Sequence, residues 1–259
     1  VKGAVERGEL PIERVNESAR RVLALKLKHL AFPAGSQQPL SANIVGSDAN
    51  RQTELDAARH AVAVLRDANR HIPVATDKPI LLVNTTTRSS YAILGATRGI
   101  GPNQTKAAFD TFAEMMRQKY PRLREVSAEE VLQGKADAFL TGNDWRTKFA
   151  LGIAKRFHVI VAVTENYPLP GVDFDQKSQP EVLRRLVDKA RDRLIVVALR
   201  DPYELTTLPE VPTYLCAFSF RPCSAQAAAE VLCGEIAPLG QTSVSIPSTT
   251  YAARENIIT

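Results

Sequence analysis

Cysteine is scarce and poorly spaced for chemistry. Cys216, Cys223 and Cys233 are the only three in 259 residues, an odd number without a C-x-x-C spacing, which argues against a disulfide framework and a cysteine-built zinc site. The four histidines, His29, His60, His71 and His158, are scattered, and no i, i+4 pair with a carboxylate partner suggests a metal centre. The single Gly-x-Gly, Gly99-Ile100-Gly101, is followed by Pro102-Asn103-Gln104, so the third glycine of a dinucleotide fingerprint is lacking. Walker A, H-E-x-x-H and G-x-S-x-G motifs are all absent, which removes the best sequence support for nucleotide hydrolysis, zinc proteolysis and the common serine-hydrolase arrangement. No cofactor and no metal is expected.

Long apolar runs are missing as well. None reaches the roughly eighteen residues that a spanning helix requires, so no membrane span is expected. The net charge is +5, yet Lys and Arg alternate with Asp and Glu in stretches such as Arg14 to Lys28 and Arg184 to Arg193. That interleaving describes solvated helix faces, whereas nucleic-acid binding would call for clustered basic residues with aromatics between them. The chain opens on Val1 rather than methionine, with a helical pattern almost at once. We therefore expect further chain ahead of it, including any leader that would assign a compartment.

What is present is a globular composition, 44% hydrophobic and 24% charged, enough for a sizeable core. After Pro11, the residues Ile12, Val15, Ala19, Val22, Leu23 and Leu27 recur at three- and four-residue steps, predicting an amphipathic helix that ends near Phe32 at linker-type residues. Such a face needs a surface to cover. Beyond the linker, Asp48 is placed to cap a helix through Ala58. Apolar runs at 61–65, 80–83, 159–163, 195–199 and 214–218 then alternate with helical patterns at 106–120, 145–157, 180–192 and 225–233. Leu123 to Val126 is a shorter candidate strand, and Asp137 to Gly142 is ambiguous between helix and strand. Continuous β-branched runs separated by helices predict an α/β fold: a mainly parallel, doubly wound sheet in a flavodoxin-like α/β/α sandwich. The expected division is a helical segment 1–32, a linker 33–46, the sandwich 47–247 and a tail 248–259.

In doubly wound sheets, ligands bind beyond the carboxyl ends of the strands. Polar residues expected there are Asp67, Thr85 to Ser90, Glu165, and Asp201 with Tyr203. Glu165, Asp173 and Asp175 are the carboxylates that could act as an acid/base pair on a glycosidic bond. The competing role is to accept hydrogen bonds from loop amides or to cap the helix near Ser178.

Three stretches, in order, resemble a known family. Ala4 to Lys26 (AVERGELPIERVNESARRVLALK) resembles the segment closing the barrel of family-3 glycoside hydrolases. Ala57 to Asp67 (AARHAVAVLRD), continuing through Ile72-Pro73-Val74, resembles the start of that family's second domain. Ala225 to Glu235 (AQAAAEVLCGE), with Pro238 and Gly240, resembles its late helix and exit. The first stretch is most similar to the β-N-acetylglucosaminidase branch.

The resemblance implies that residues 1–32 are the last helical segment of a (β/α)8 barrel and that the rest is the C-terminal accessory domain of a retaining β-N-acetylglucosaminidase acting on terminal β-linked N-acetylglucosamine. In that branch the nucleophilic aspartate and the aspartate–histidine acid/base pair belong to the barrel, so this chain alone is expected to be catalytically incomplete. Lys28-His29 with Pro33 departs in spacing from the family's Lys-His-Phe-Pro-Gly contact motif, and no catalytic residue is carried over. The implied partner is the barrel of the same parent chain, with carbohydrate at the interface. Two other readings stand beside it: an independent flavodoxin-like ligand- or protein-binding module, and a glycosidase of another branch whose acid/base is in this domain.

Overall fold

The computed structural model describes residues 1–30, 42–87, 108–141, 157–165, 178–208, 210–242 and 244–247. It divides into two compact units, Val1–Ser47 and Asp48–Thr259. The expected helix at 145–157 and the tail 248–259 fall almost wholly outside the described residues, as does most of the linker.

The first unit holds helices α1 (Lys2–Glu6) and α2 (Ile12–Leu30). They are joined by a turn in which Gly8 has φ 71°, and the amides of Glu9 and Leu10 return to the Ala4 carbonyl. Pro11 leaves no amide to satisfy at the start of α2. Charged side chains lace one side of α2, where Glu17 pairs with both Arg14 and Arg21. The apolar positions are uncovered: Val22, Leu23, Leu25 and Leu27 are 51%, 55%, 59% and 69% exposed.

The second unit opens with α3 (Asp48–Ala61), which has Asp48 as its first helical residue rather than as a cap. Six strands follow: β1 (Ala63–Asp67), β2 (Ile80–Asn84), β3 (Leu123–Ser127), β4 (Val159–Thr164), β5 (Leu194–Ala198) and β6 (Thr213–Cys216). They form one sheet in the order β1-β6-β5-β4-β2-β3. The five strands β2 to β6 are parallel, and their order among themselves is that of the flavodoxin-like doubly wound fold. The fold is α/β, as expected.

Helices cover both faces. Ile80 and Leu82 of β2, Val159, Val161 and Val163 of β4, and Ile195 and Val197 of β5 pack beneath α3, α4 (Ala108–Lys119) and α8 (Pro222–Cys233). The alternate residues, Leu81 and Val83, Ile160 and Ala162, Val196 and Ala198, pack beneath α5 (Ala128–Leu132), α6 (Asp137–Thr141) and α7 (Ser178–Ala190). Every residue of β4 is buried, which is why it has no polar alternation. β3 lies at an edge and alternates in exposure. The ambiguous stretch after Asp137 is helical. Ser127 and Glu130 form a reciprocal capping box that starts α5 directly from the end of β3.

β1 departs from the expected pattern. It pairs antiparallel with β6, Asp67 opposite Thr213. Its carboxyl end therefore lies with the amino ends of the other strands, and Asp67 is not at the ligand-binding edge. The Asp67 carboxylate instead accepts from the His71 and Ile72 amides at 2.8 and 3.2 Å and from the Thr213 hydroxyl at 3.0 Å. It organises the turn after β1.

Candidate functional site

The topological switch point lies between β2 and β4, because the chain leaves β2 outward to β3 and then crosses back to β4. A crevice at the carboxyl ends of these strands is where this architecture places ligands. Thr85, Thr86 and Thr87 follow β2, Thr164 and Glu165 end β4, and all five are buried. The Thr85 hydroxyl donates to the Val163 carbonyl at 2.6 Å and lies 3.3 Å from Oε1 of Gln179 at the start of α7. The same oxygen accepts from the Glu165 amide at 3.2 Å. The Asn84 side chain accepts from the Thr86 amide at 3.0 Å. Gln179 thus holds the ends of β2 and β4 together.

Glu165 is 2% exposed, and its Oε1 accepts from the Phe109 amide at 3.0 Å. That amide belongs to the first turn of α4, whose positive end favours a carboxylate. The geometry joins the end of β4 to the start of α4. Asp173 and Asp175 lie outside the described residues. Thr85 to Thr87 and Asp201 are at the carboxyl edge, whereas the rest of the expected stretch, 88–90, lies outside the described residues. Asp201 accepts from the Tyr203 amide at 3.3 Å.

Sequence reasoning passed over Glu204, in the short 3₁₀ turn Tyr203–Thr206 beyond β5. Its residue is 8% exposed, and its Oε2 accepts from the Tyr214 hydroxyl at 2.5 Å. Burial pushes this carboxyl up to about 7, with the Thr164 and Tyr214 hydroxyls drawing it back and Asp201 adding to the rise. The Tyr214 phenol is driven well above its ordinary value, first by burial and then by Glu204. The one signal for Glu204 in the sequence is its distance past the end of a buried strand.

Elsewhere the chemistry is sparse among the described residues. No group of three or more His, Cys, Asp or Glu is arranged to hold a metal, and no helix is long and apolar enough to cross a membrane. All three cysteines are free thiols, and burial raises each of them. His71 and His158 meet edge-on, with ring centroids 6.4 Å apart and planes at 75°. A cleft of about 560 Å³ at the opposite edge of the sheet is lined by Arg66, Lys189 and Arg191 together with Asp188, Asp192 and Glu210. Its cations are already committed: Arg66 donates to the Val211 carbonyl, Arg191 to the Glu210 carbonyl, and Lys189 to Asp137.

Fold and site together define a doubly wound α/β sandwich with a polar switch point and a separate helical unit. No family model matches the chain, and no curated protein matches it in sequence. Solved structures share its fold at low identity. A fungal multi-domain family-3 β-N-acetylglucosaminidase is 18% identical, with a TM-score of 0.56 over 96% of this chain and 25% of that one. A family-3 β-N-acetylglucosaminidase from a Paenibacillus species is 21% identical, with a TM-score of 0.52 over 92% of this chain and 40% of that one. A β-glucosidase from Listeria innocua is 19% identical, with a TM-score of 0.55 over 95% and 33%. The chain thus spans between a quarter and two fifths of these neighbours' length.

Proposed function

We propose that this chain is the C-terminal α/β accessory domain of a family-3 glycoside hydrolase, together with the last helical segment of the barrel that precedes it. The observation that carries the reading is the combination of coverages: nearly all of this chain, but only part of each neighbour, shares one fold. The 96% coverage exceeds the share of the chain that the second unit makes up, which supports counting α2 with the shared part. The three stretches of sequence similar to the family support it independently.

The parent enzyme is a retaining β-N-acetylglucosaminidase acting on terminal β-linked N-acetylglucosamine. Support for that substrate comes from the stretch Ala4 to Lys26 and from two neighbours named as β-N-acetylglucosaminidases. Retention requires a nucleophile and an acid/base about 5 Å apart, and in this branch both belong to the barrel. The domain's role is to pack on the barrel of its own parent chain and wall the sugar site. Glu165, Asp173 and Asp175 are its candidates for reaching that site.

The test is turnover of a chromogenic N-acetyl-β-glucosaminide by the 259-residue chain and by the full-length parent from the same gene. Turnover by the parent alone is the expected result. Comparable turnover by the 259 residues would overturn the reading, and Glu165, Asp173 and Asp175 would then be the first residues to substitute.

A further inference from the structure

A buried carboxyl without a cation is an unusual thing to maintain at neutral pH, since a lone ionised group in a low-dielectric interior is costly. Glu204 is such a group. No lysine, arginine or histidine pairs with it among the described residues, and the side chains that act on it as donors are neutral hydroxyls, Tyr214 in a formed hydrogen bond and Thr164 beside it. The titratable groups acting on it are Asp201 in the preceding turn and Tyr214 and Cys216 of β6. None of them supplies positive charge. Its Oε1 and the Thr164 hydroxyl are both buried without a well-formed hydrogen bond, and they are close enough for the hydroxyl to act on the carboxyl. One proton placed on Oε1 and donated to Thr164 satisfies both oxygens at once.

We propose that Glu204 is a proton-titrated latch on the carboxyl edge of the sheet. As the neutral acid it accepts from Tyr214 of β6 and donates to Thr164 of β4, spanning the end of β5 between them. On ionisation the proton leaves to solvent and the turn Tyr203–Thr206 moves outward to hydrate the carboxylate, which releases the end of β4 at Thr164. The latch is a property of this sandwich and does not rest on the glycosidase reading.

The sign follows from linkage. A carboxyl whose folded-state pKa lies above its unfolded value stabilises the fold fully below the unfolded value, and that contribution is lost as pH rises through the folded one. With the folded value about 7 against an ordinary 4.5, Glu204 by itself lowers the folding equilibrium constant by roughly a hundred-fold between pH 5 and pH 8.

Two measurements on the full 259-residue chain test the latch. The first is carboxyl-carbon NMR of Glu204 across pH 4 to 9, with a midpoint near neutrality expected; titration at an ordinary glutamate value overturns the proposal. The second is amide exchange at Thr207 and Leu208, whose N–H groups bond to the Glu204 carbonyl at 3.1 and 2.9 Å. After correction for intrinsic rates, their protection is expected to fall at least ten-fold from pH 6 to pH 8 and to stay level in Glu204→Gln. Protection that is level in the native chain, or that falls equally in the variant, removes the latch. Should Glu204→Gln fail to fold, the NMR midpoint of the native chain still decides.

Discussion

Gly240 shows how a single position can be dictated by backbone rather than by side chain. Its amide donates to the Val62 carbonyl at 2.8 Å, and a Cβ there would stand 2.0 Å from the Ala61 carbonyl oxygen. Backbone cannot yield that much, so Gly240→Ala should cost about 3 kcal/mol, read as a lowered urea midpoint. Gly234 is required twice over: it ends α8 in the left-handed region with φ 79°, and a Cβ would meet Pro73 at 2.8 Å. Gly234→Ala should lose about 1 to 2 kcal/mol from conformation before that overlap is counted. Both glycines lie in the stretch by which the sequence resembles a known domain exit, and the contacts give that pattern a physical cause. Glu204 is the opposite case. It stands in Asp201-Pro202-Tyr203-Glu204, which reads as ordinary loop chemistry, and only the tertiary approach of Tyr214 and Thr164 makes it a buried acid. Glu165 was legible because it directly ends a buried apolar run, although its use in holding the start of α4 was not.

At the level of elements, the parallel strands were legible wherever burial on both faces produced unbroken apolar runs, as in β2, β4 and β5. β1 was located within two residues, but its direction was hidden, because a strand's own sequence carries no mark of which way its neighbour runs. That single unknown moved Asp67 from the ligand-binding edge to the opposite one. Helix contacts were hidden for the same reason. Arg59 of α3 clamps Glu230 of α8 through two hydrogen bonds of 2.7 and 2.8 Å, with Gln226 adding a third at 2.9 Å. Arg59→Ala leaves the buried Glu230 carboxylate without its cation and should cost about 2 to 3 kcal/mol by chemical denaturation. The pair also sets an acid limb. Arg59, the leading cause, holds Glu230 below its ordinary value, so its stabilisation is present above pH 4.5 and lost as pH falls through the folded value. The variant should show a shallower loss of stability below pH 4.5 than the native chain. Ser127→Ala, which removes the reciprocal cap of α5, should cost about 1 kcal/mol in the same measurement.

Across the whole molecule, the two units differ in how their apolar groups are used. The sandwich buries its hydrophobic residues in two layers, whereas α2 leaves Val22, Leu23, Leu25 and Leu27 open to water. If α2 belongs to a barrel, Leu23→Glu with Leu27→Glu should destabilise the full-length parent by about 3 kcal/mol or more, since each buried leucine contributes about 1.5 to 3 kcal/mol. The same pair of changes should leave the unfolding of the sandwich in the 259-residue chain unaltered; calorimetry of both proteins separates the two effects. The contact between Gly240 and Val62 has one more consequence. The residue that leads into β1 and the segment that leaves the last helix are fastened side by side, so the entry to the sheet's first strand and the exit from α8 share one corner. Loosening that corner, as Gly240→Ala would, should therefore free the lead into β1 and the exit of α8 together rather than one at a time.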